Sequence, residues 1–209
     1  WREAKPREWM IAHQFHVTGA ACGVAFAPGE HGLILAVAGA DDMGVVTLVS
    51  WSQAAAHSGG QQWSTRSFPA HPGGVSALTW APGTPTTTLA TGPAVARQKG
   101  AALQRFATAG VDGALRIWCA KAKDVWAEEQ TLEDDRNQGQ VRDVAWRPNI
   151  GIPSSLIVSC IGSSVMTWVQ DAAGLPWRAQ ACWNIDGDAL RLAWSRGGKI
   201  LAVSVGEAA

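Results

Sequence analysis

Large aromatic side chains recur along this 209-residue chain at a period near fifty, and that period limits the possible folds more than any other feature. Trp1, Trp9 and Phe26 open the series. Trp51, Trp63 and Trp80 follow, then Trp118, Trp126 and Trp146, then Trp168, Trp177 and Trp194. The middle aromatic stands 17, 17, 20 and 17 residues before the last one, and 8, 12, 8 and 9 residues after the first. Self-similarity of this kind marks a repeat architecture, in which each copy buries its apolar faces only against its neighbours.

Each copy carries the same order of short runs. One ends in an aromatic and a turn: VAFAP (24–28), LTWAP (78–82), VAWRP (144–148) and LAWS (192–195). A small, branched run follows: LILAVAG (33–39), RFATAG (105–110), LIVSC (156–160) and KILAVS (199–204). VVTLV (45–49), ALRIW (114–118) and VMTW (165–168) come third, and QWSTRSF, VWAEEQTL and PWRAQACW fourth. These runs are β-branched or aromatic and bounded by Gly, Pro, Asn and Asp, so they read as strands. No stretch has the period of a long amphipathic helix. Four antiparallel strands per repeated unit describe the blades of a β-propeller, so the expected fold is all-β. Indole rings at matched positions then fill the wedges between blades, each burying roughly 150–250 Å². A stacking platform for bases or sugars would not need an equivalent in every copy.

Composition removes several functional classes. Seventeen basic and seventeen acidic residues cancel, so charge does not point to nucleic acid or an anionic membrane. LILAVA (33–38) is far too short to span a bilayer as a helix. The opening WREAKPREWM lacks signal-peptide architecture and begins with Trp, so the chain is expected to be a fragment with its upstream part missing. Cys22, Cys119, Cys160 and Cys182 show no C-x-x-C spacing, which suits reduced, buried thiols in a cytosolic or nuclear protein.

RFATAGVDGALRIW (105–118) holds the best candidate cluster. Asp112 sits in a Gly-flanked turn, with Thr108 before it, Trp118 after it and His71 ahead of the blade. WD-repeat propellers often link such a His, Thr, Asp and Trp into one hydrogen-bond network. A carboxylate held this way is satisfied by turn amides and imidazole, and is structural rather than catalytic. Other copies keep parts of the set. His16 and Asp41 recur with Val37 and Val49 at the Thr and Trp places. Ser159, Ser163 and Trp168 recur without the His, and Glu207 stands near the last Asp position. His13 and His16 lack a third ligand at a clear spacing. EEQTLEDD (128–135), with Asp134 and Asp135, reads as a solvated surface. Neither G-x-S-x-G, a Walker A loop nor a zinc signature is present. The expectation is therefore no catalytic residue, no cofactor and no metal. Residues 83–104 form a long irregular insertion between the first two strands of their blade, of the kind that is either functional or disordered.

The stretches HGLILAVAGADD (31–42), RFATAGVDGALRIW (105–118), WAEEQTLE (126–133), VRDVAWRPNIGIPSSLIVSC (141–160) and KILAVS (199–204) resemble one family over essentially the whole chain. It is the small WD-repeat β-propeller subunit of the COPII vesicle outer coat, shared with the Y-shaped scaffold of the nuclear pore. VRDVAW followed by the IG-x-P turn is specific to it. The resemblance implies an open six-bladed propeller, of which this chain carries about three full blades and pieces of two more. Residues 1–13 would end a preceding blade, with Trp1 closing a strand. Residues 14–69, 70–133 and 134–184 would be blades, and 185–209 an incomplete one. The chain departs from the family in the shortened turn CIGSSVMTW, the longer loop LEDDRNQGQVRD and the early stop at VGEAA.

The resemblance also implies a non-enzymatic scaffold for ER-to-Golgi transport and the nuclear pore. An elongated helical partner would donate strands as a seventh blade. The seam would involve Leu190, Leu192, Trp194, Ile200 and Ala202, residues that suit packing against the blade at 134–184 equally well. The protein would then work at the cytoplasmic face of the endoplasmic reticulum membrane, on COPII vesicles and at the nuclear pore, touching membrane only through the coat and not binding nucleic acid. Two alternatives stand beside this. One is a WD-repeat adaptor of another assembly, in nutrient signalling or ubiquitin ligation. The other is a propeller glycosidase, which would need paired carboxylates at the axial mouth.

Overall fold

The computed structural model describes residues 1–52, 62–83, 104–122, 125–134, 139–148, 151–152 and 154–206. A hairpin comes first, β1 (Arg2–Lys5) and β2 (Glu8–Met10). Three four-stranded sheets follow. The first comprises β3 (Ala21–Phe26), β4 (Ile34–Gly39), β5 (Val45–Trp51) and β6 (Trp63–Pro69). The second has β7 (Val75–Trp80), β8 (Arg105–Gly110), β9 (Leu115–Ala122) and β10 (Val125–Leu132). The third has β11 (Asp143–Trp146), β12 (Ser155–Ile161), β13 (Ser164–Gln170) and β14 (Arg178–Asn184). A two-stranded sheet of β15 (Asp188–Trp194) and β16 (Leu201–Gly206) closes the order. Within each sheet, strands adjacent in sequence pair antiparallel, and successive sheets pack face to face through their first strands. This is a partial, open WD-type β-propeller. The insertion at 83–104 lies almost wholly outside the described residues, between β7 and β8.

Local chemistry sets the breaks between strands. Phe26, Trp80 and Trp146 each end a first strand two residues before Pro28, Pro82 and Pro148, and proline has no N–H for the ladder. Gly44, at φ 51°, opens β5 where a Cβ would fall onto the His71 carbonyl oxygen. Only glycine allows the turn before β5 and the segment before β7 to approach this closely.

The sheets stack with a constant polarity. On each first–second strand pair, one opposed couple is small and the next is large. The small couples are Ala25–Ala36, Thr79–Ala107, Ala145–Val158 and Ala193–Ala202. The large ones are Phe26–Leu35, Trp80–Phe106, Trp146–Ile157 and Trp194–Leu201. Period-two alternation puts them on opposite faces. Trp80 and Phe106 pack on the first sheet's Ala25, Ala36 and Ala38. Trp146 and Ile157 share a core with Ala77, Ala107 and Ala109. Trp194 and Leu201 lie on Ala145 and Val158.

The expected indole wedge is found inside the stack and not at its first end. Trp80, Trp118, Trp146, Trp168 and Trp177 are buried, whereas Trp1 and Trp9 stay 76% and 61% exposed. Trp1 stands directly before β1, which pairs with β2 as a two-stranded hairpin. The thiols also differ from expectation. Cys119 and Cys160 are buried, but Cys22 and Cys182 are exposed, since they sit on an inner and an outer strand at the sheet margins.

Candidate functional site

His71, Thr108, Asp112 and Trp118 come together within the second sheet. Trp118 Nε1 donates to Thr108 Oγ1 at 2.8 Å, and Thr108 Oγ1 lies 2.8 Å from His71 Nε2. His71 Nδ1 lies 2.9 Å from Asp112 Oδ1. A carboxylate only accepts, so the Asp112 contact calls for the proton on Nδ1, with Thr108 donating to Nε2, while the Arg116 guanidinium, itself only a donor, also lies against Nδ1. Asp112 also accepts from the Ala114 amide at 3.2 Å and from Arg116 Nη1 at 2.6 Å. Burial lowers the His71 pKa, opposed by Asp112, while the Arg116 charge against the ring lowers it further. Burial would raise the Asp112 pKa, but hydrogen bonds from Arg116 and His71 together hold it below the usual range. Both Asp112 oxygens are therefore engaged by donors of the protein itself.

The neighbouring copies are simpler. In the third sheet Trp168 Nε1 donates to Ser159 Oγ at 2.9 Å, and Ser163 offers its backbone carbonyl to the Ile185 amide. In the first sheet Asp41 accepts from the Gly44 amide at 3.1 Å while His16 is exposed, and Val37 and Val49 are buried. Glu207 and Asp135 lie outside the described residues. His13 stacks on Trp63 at 4.6 Å. Among the described residues no three potential metal ligands cluster.

A second polar cluster joins the second and third sheets. Arg105 on β8 is 6% exposed and donates to Glu129 at 2.6 Å and to Gln170 at 3.0 Å. Its guanidinium carbon lies 5.4 Å and 5.6 Å from the Trp146 and Trp177 rings, within cation–π range. Gln130 bonds the Trp177 backbone twice, at 2.9 Å and 3.1 Å. The acidic run at 128–135 is thus not a plain solvated surface. Glu129 pairs with buried Arg105, and Glu128 lies 3.6 Å from Arg116.

The residues expected at a partner seam divide between two faces. Leu192 is buried and Trp194 half-buried, both against the third sheet, where Trp194 Nε1 donates to the Ala145 carbonyl at 3.2 Å. The Leu192 amide donates to Asp143 Oδ2 at 2.7 Å, fixing β15 beside β11. Ala202 is exposed on the opposite face, and Ile200 is 69% exposed just before β16. Leu190 is half-buried and lines a cavity of about 550 Å³ at the inner strands, with Cys22, Ser76, Gln140, Arg142 and Arg191. Two guanidiniums and no carboxylate line it, unlike the paired acids a glycosidase needs.

No protein-family model matches the chain. Curated relatives do. A "Protein SEC13 homolog" of Drosophila melanogaster is 32% identical over 213 residues, covering 99% of this chain and 56% of the relative. The "Protein transport protein SEC13" of Mycosarcoma maydis is 30% identical over 217 residues, covering 93% and 57%. That of Cryptococcus neoformans var. neoformans (strain JEC21) is 33% identical over 217 residues, covering 96% and 60%. This is a SEC13-like WD-repeat chain. It spans 56% to 60% of the length of these relatives.

In the SEC13-like chain, reasoning from sequence missed Arg105, Gln130 and Gln170. The available signal was a charged residue at the head of RFATAG, a run otherwise built for burial. An arginine there needs acceptors and an aromatic lid to be buried at all.

Proposed function

We propose that this chain is the propeller portion of a non-enzymatic scaffold subunit for protein transport. It works in the COPII outer coat at the cytoplasmic face of the endoplasmic reticulum and on COPII vesicles, and in the nuclear pore scaffold. An elongated helical protein completes the open propeller by donating a seventh blade, and membrane is reached only through the coat. The observation that carries this reading is the similarity to SEC13 proteins over 93% to 99% of the chain. The repeated four-stranded antiparallel sheets support it, since a propeller built of such sheets can take up a donated strand by backbone pairing at a sheet edge. In this reading His71, Thr108, Asp112 and Trp118 are structural, pinning a turn of the second blade. Ile200 and Ala202 meet the partner, while Leu190, Leu192 and Trp194 hold β15 in place for it.

Co-purification of the full-length protein from cells tests the proposal. The expected companion is the elongated helical coat subunit. Ile200→Asp combined with Ala202→Asp should weaken the association at least about tenfold, because each carboxylate would have to enter an apolar joint. Recovery with a signalling or ubiquitin-ligase assembly and no coat component would favour the adaptor reading instead.

A further inference from the structure

Each sheet carries, at the head of its first strand, one residue that turns toward the cavity. Cys22, Ser76, Arg142 and Leu190 stand four places before the aromatics Phe26, Trp80, Trp146 and Trp194, and all four line that cavity. At Cys22, Ser76 and Leu190 the pairing register shifts, between Ala21 and Gly23, Val75 and Ala77, and Ala189 and Arg191. Such a bulge frees one residue from the ladder and re-aims its side chain. Ser76 Oγ donates to the Ala109 carbonyl of its own sheet at 3.0 Å and to the Val141 carbonyl just before the third sheet. Cys22 Sγ meets the two matching carbonyls, Ala38 in its own sheet at 3.5 Å and Val75 in the second sheet at 2.8 Å. Arg142 crosses the following joint in its own way, donating to Asp188 of the last sheet at 3.4 Å. Leu190 has no donor to offer.

We propose that this residue is an axial tie, fixing one sheet to the next beside the cavity, and that the thiol tie of Cys22 is the weak one, where the stack opens first. A thiol is a weaker donor than a hydroxyl. Partial burial of the sulfur pushes the Cys22 pKa up, so the proton stays on it although the residue itself is exposed. Its 2.8 Å approach to Val75 is the length of an O–H···O bond, so the place is spaced for the oxygen that Ser76 supplies. The two joints differ elsewhere in the same sense. Between the second and third sheets Arg105 donates to Gln170, and Gln130 bonds the Trp177 backbone. Between the first and second, the rings of Phe68, Phe106 and Trp118 meet, and Trp80 Nε1 donates to the Ala25 carbonyl at 3.0 Å. Local opening starts where the fewest strong contacts must break. Both joints lie inside the chain, and the inference stands apart from the coat reading.

Hydrogen exchange of the full-length protein, followed by NMR, tests it with one reporter at each joint. The Trp80 indole proton bonds Ala25 across the first joint, and the Trp146 amide lies 3.4 Å from Thr79 Oγ1 across the second. In the wild type, Trp80 is protected at least about tenfold less than Trp146. Cys22→Ser installs the stronger donor and slows exchange at Trp80 about threefold, leaving Trp146 unchanged. Ser76→Cys does the reverse, hastening Trp146 about threefold and leaving Trp80 unchanged. Cys22→Val and Ser76→Ala remove the donors and hasten the same two reporters about tenfold. The serine and cysteine exchanges keep a donor in place, so the comparison survives a deletion that unfolds the protein. Greater wild-type protection at Trp80 than at Trp146, no change in the variants, or equal changes at both reporters would each overturn the proposal. Co-purification of the helical subunit with these variants bears only on the coat reading.

Discussion

The second and third sheets are built alike and locked differently. Both run as four-stranded meanders, and both join a third-strand tryptophan to a second-strand hydroxyl, Trp118 to Thr108 and Trp168 to Ser159. The second sheet extends this bond into a buried imidazole, a carboxylate and a guanidinium. The third stops at the serine and rests on an apolar interior of Ile157, Val158, Met166 and Val165. The indole–hydroxyl bond is thus the shared element. The His–Asp–Arg extension is an addition that ties the β8–β9 turn to the segment before β7. Such a buried network rigidifies only while each member is satisfied.

Breaking the extension should show the largest difference. Asp112→Ala leaves His71 and Arg116 without their acceptor, and we expect a loss of about 3 kcal/mol in urea unfolding. Ser163→Ala, in the corresponding turn of the third sheet, should change stability by less than about 0.5 kcal/mol. Equal losses would mean that the network contributes nothing beyond turn geometry. The shared bond gives a smaller contrast. Thr108→Val strands two buried groups, His71 Nε2 and Trp118 Nε1, and should cost about 2 kcal/mol. Ser159→Ala strands one, Trp168 Nε1, and should cost about 1 kcal/mol.

Acid should produce the smallest effect. The folded His71 pKa lies below its ordinary 6.5, chiefly through burial, so the unfolded chain takes up this proton first. The stabilisation is therefore complete above pH 6.5 and falls away as pH drops through the folded value. Asp112, held below 3.8, acts in the same direction at still lower pH. The Ser159–Trp168 bond has no titrating member. Urea midpoints measured from about pH 7 to about pH 5 should decline in the wild type and decline less in His71→Gln. An unchanged slope would remove His71 from the acid response.

The strand content was legible because aromatics, prolines and glycines recur at fixed intervals, and one period describes every sheet. The order His71, Thr108, Asp112, Trp118 pointed to residues that the fold brings within hydrogen-bond distance, since each lies at a defined place relative to a turn. Arg105 was not legible. Its burial depends on Gln170, 65 residues away, and on two indoles of the next sheet, which no local pattern contains. Trp9 shows the limit of spacing alone: it keeps the repeat interval, yet on the β1–β2 hairpin it is 61% exposed. Leu192 and Ala202 lie on neighbouring strands yet face opposite ways, a distinction set by pairing register, which the bulge between Ala189 and Arg191 shifts.

Hydrogen exchange of the full-length protein tests most directly whether another polypeptide joins this propeller by strand addition. Addition of the elongated helical subunit should slow a continuous run of edge-strand amides by orders of magnitude, while the buried β8 and β12 amides stay unchanged. Partner binding that slows no edge strand would contradict the account.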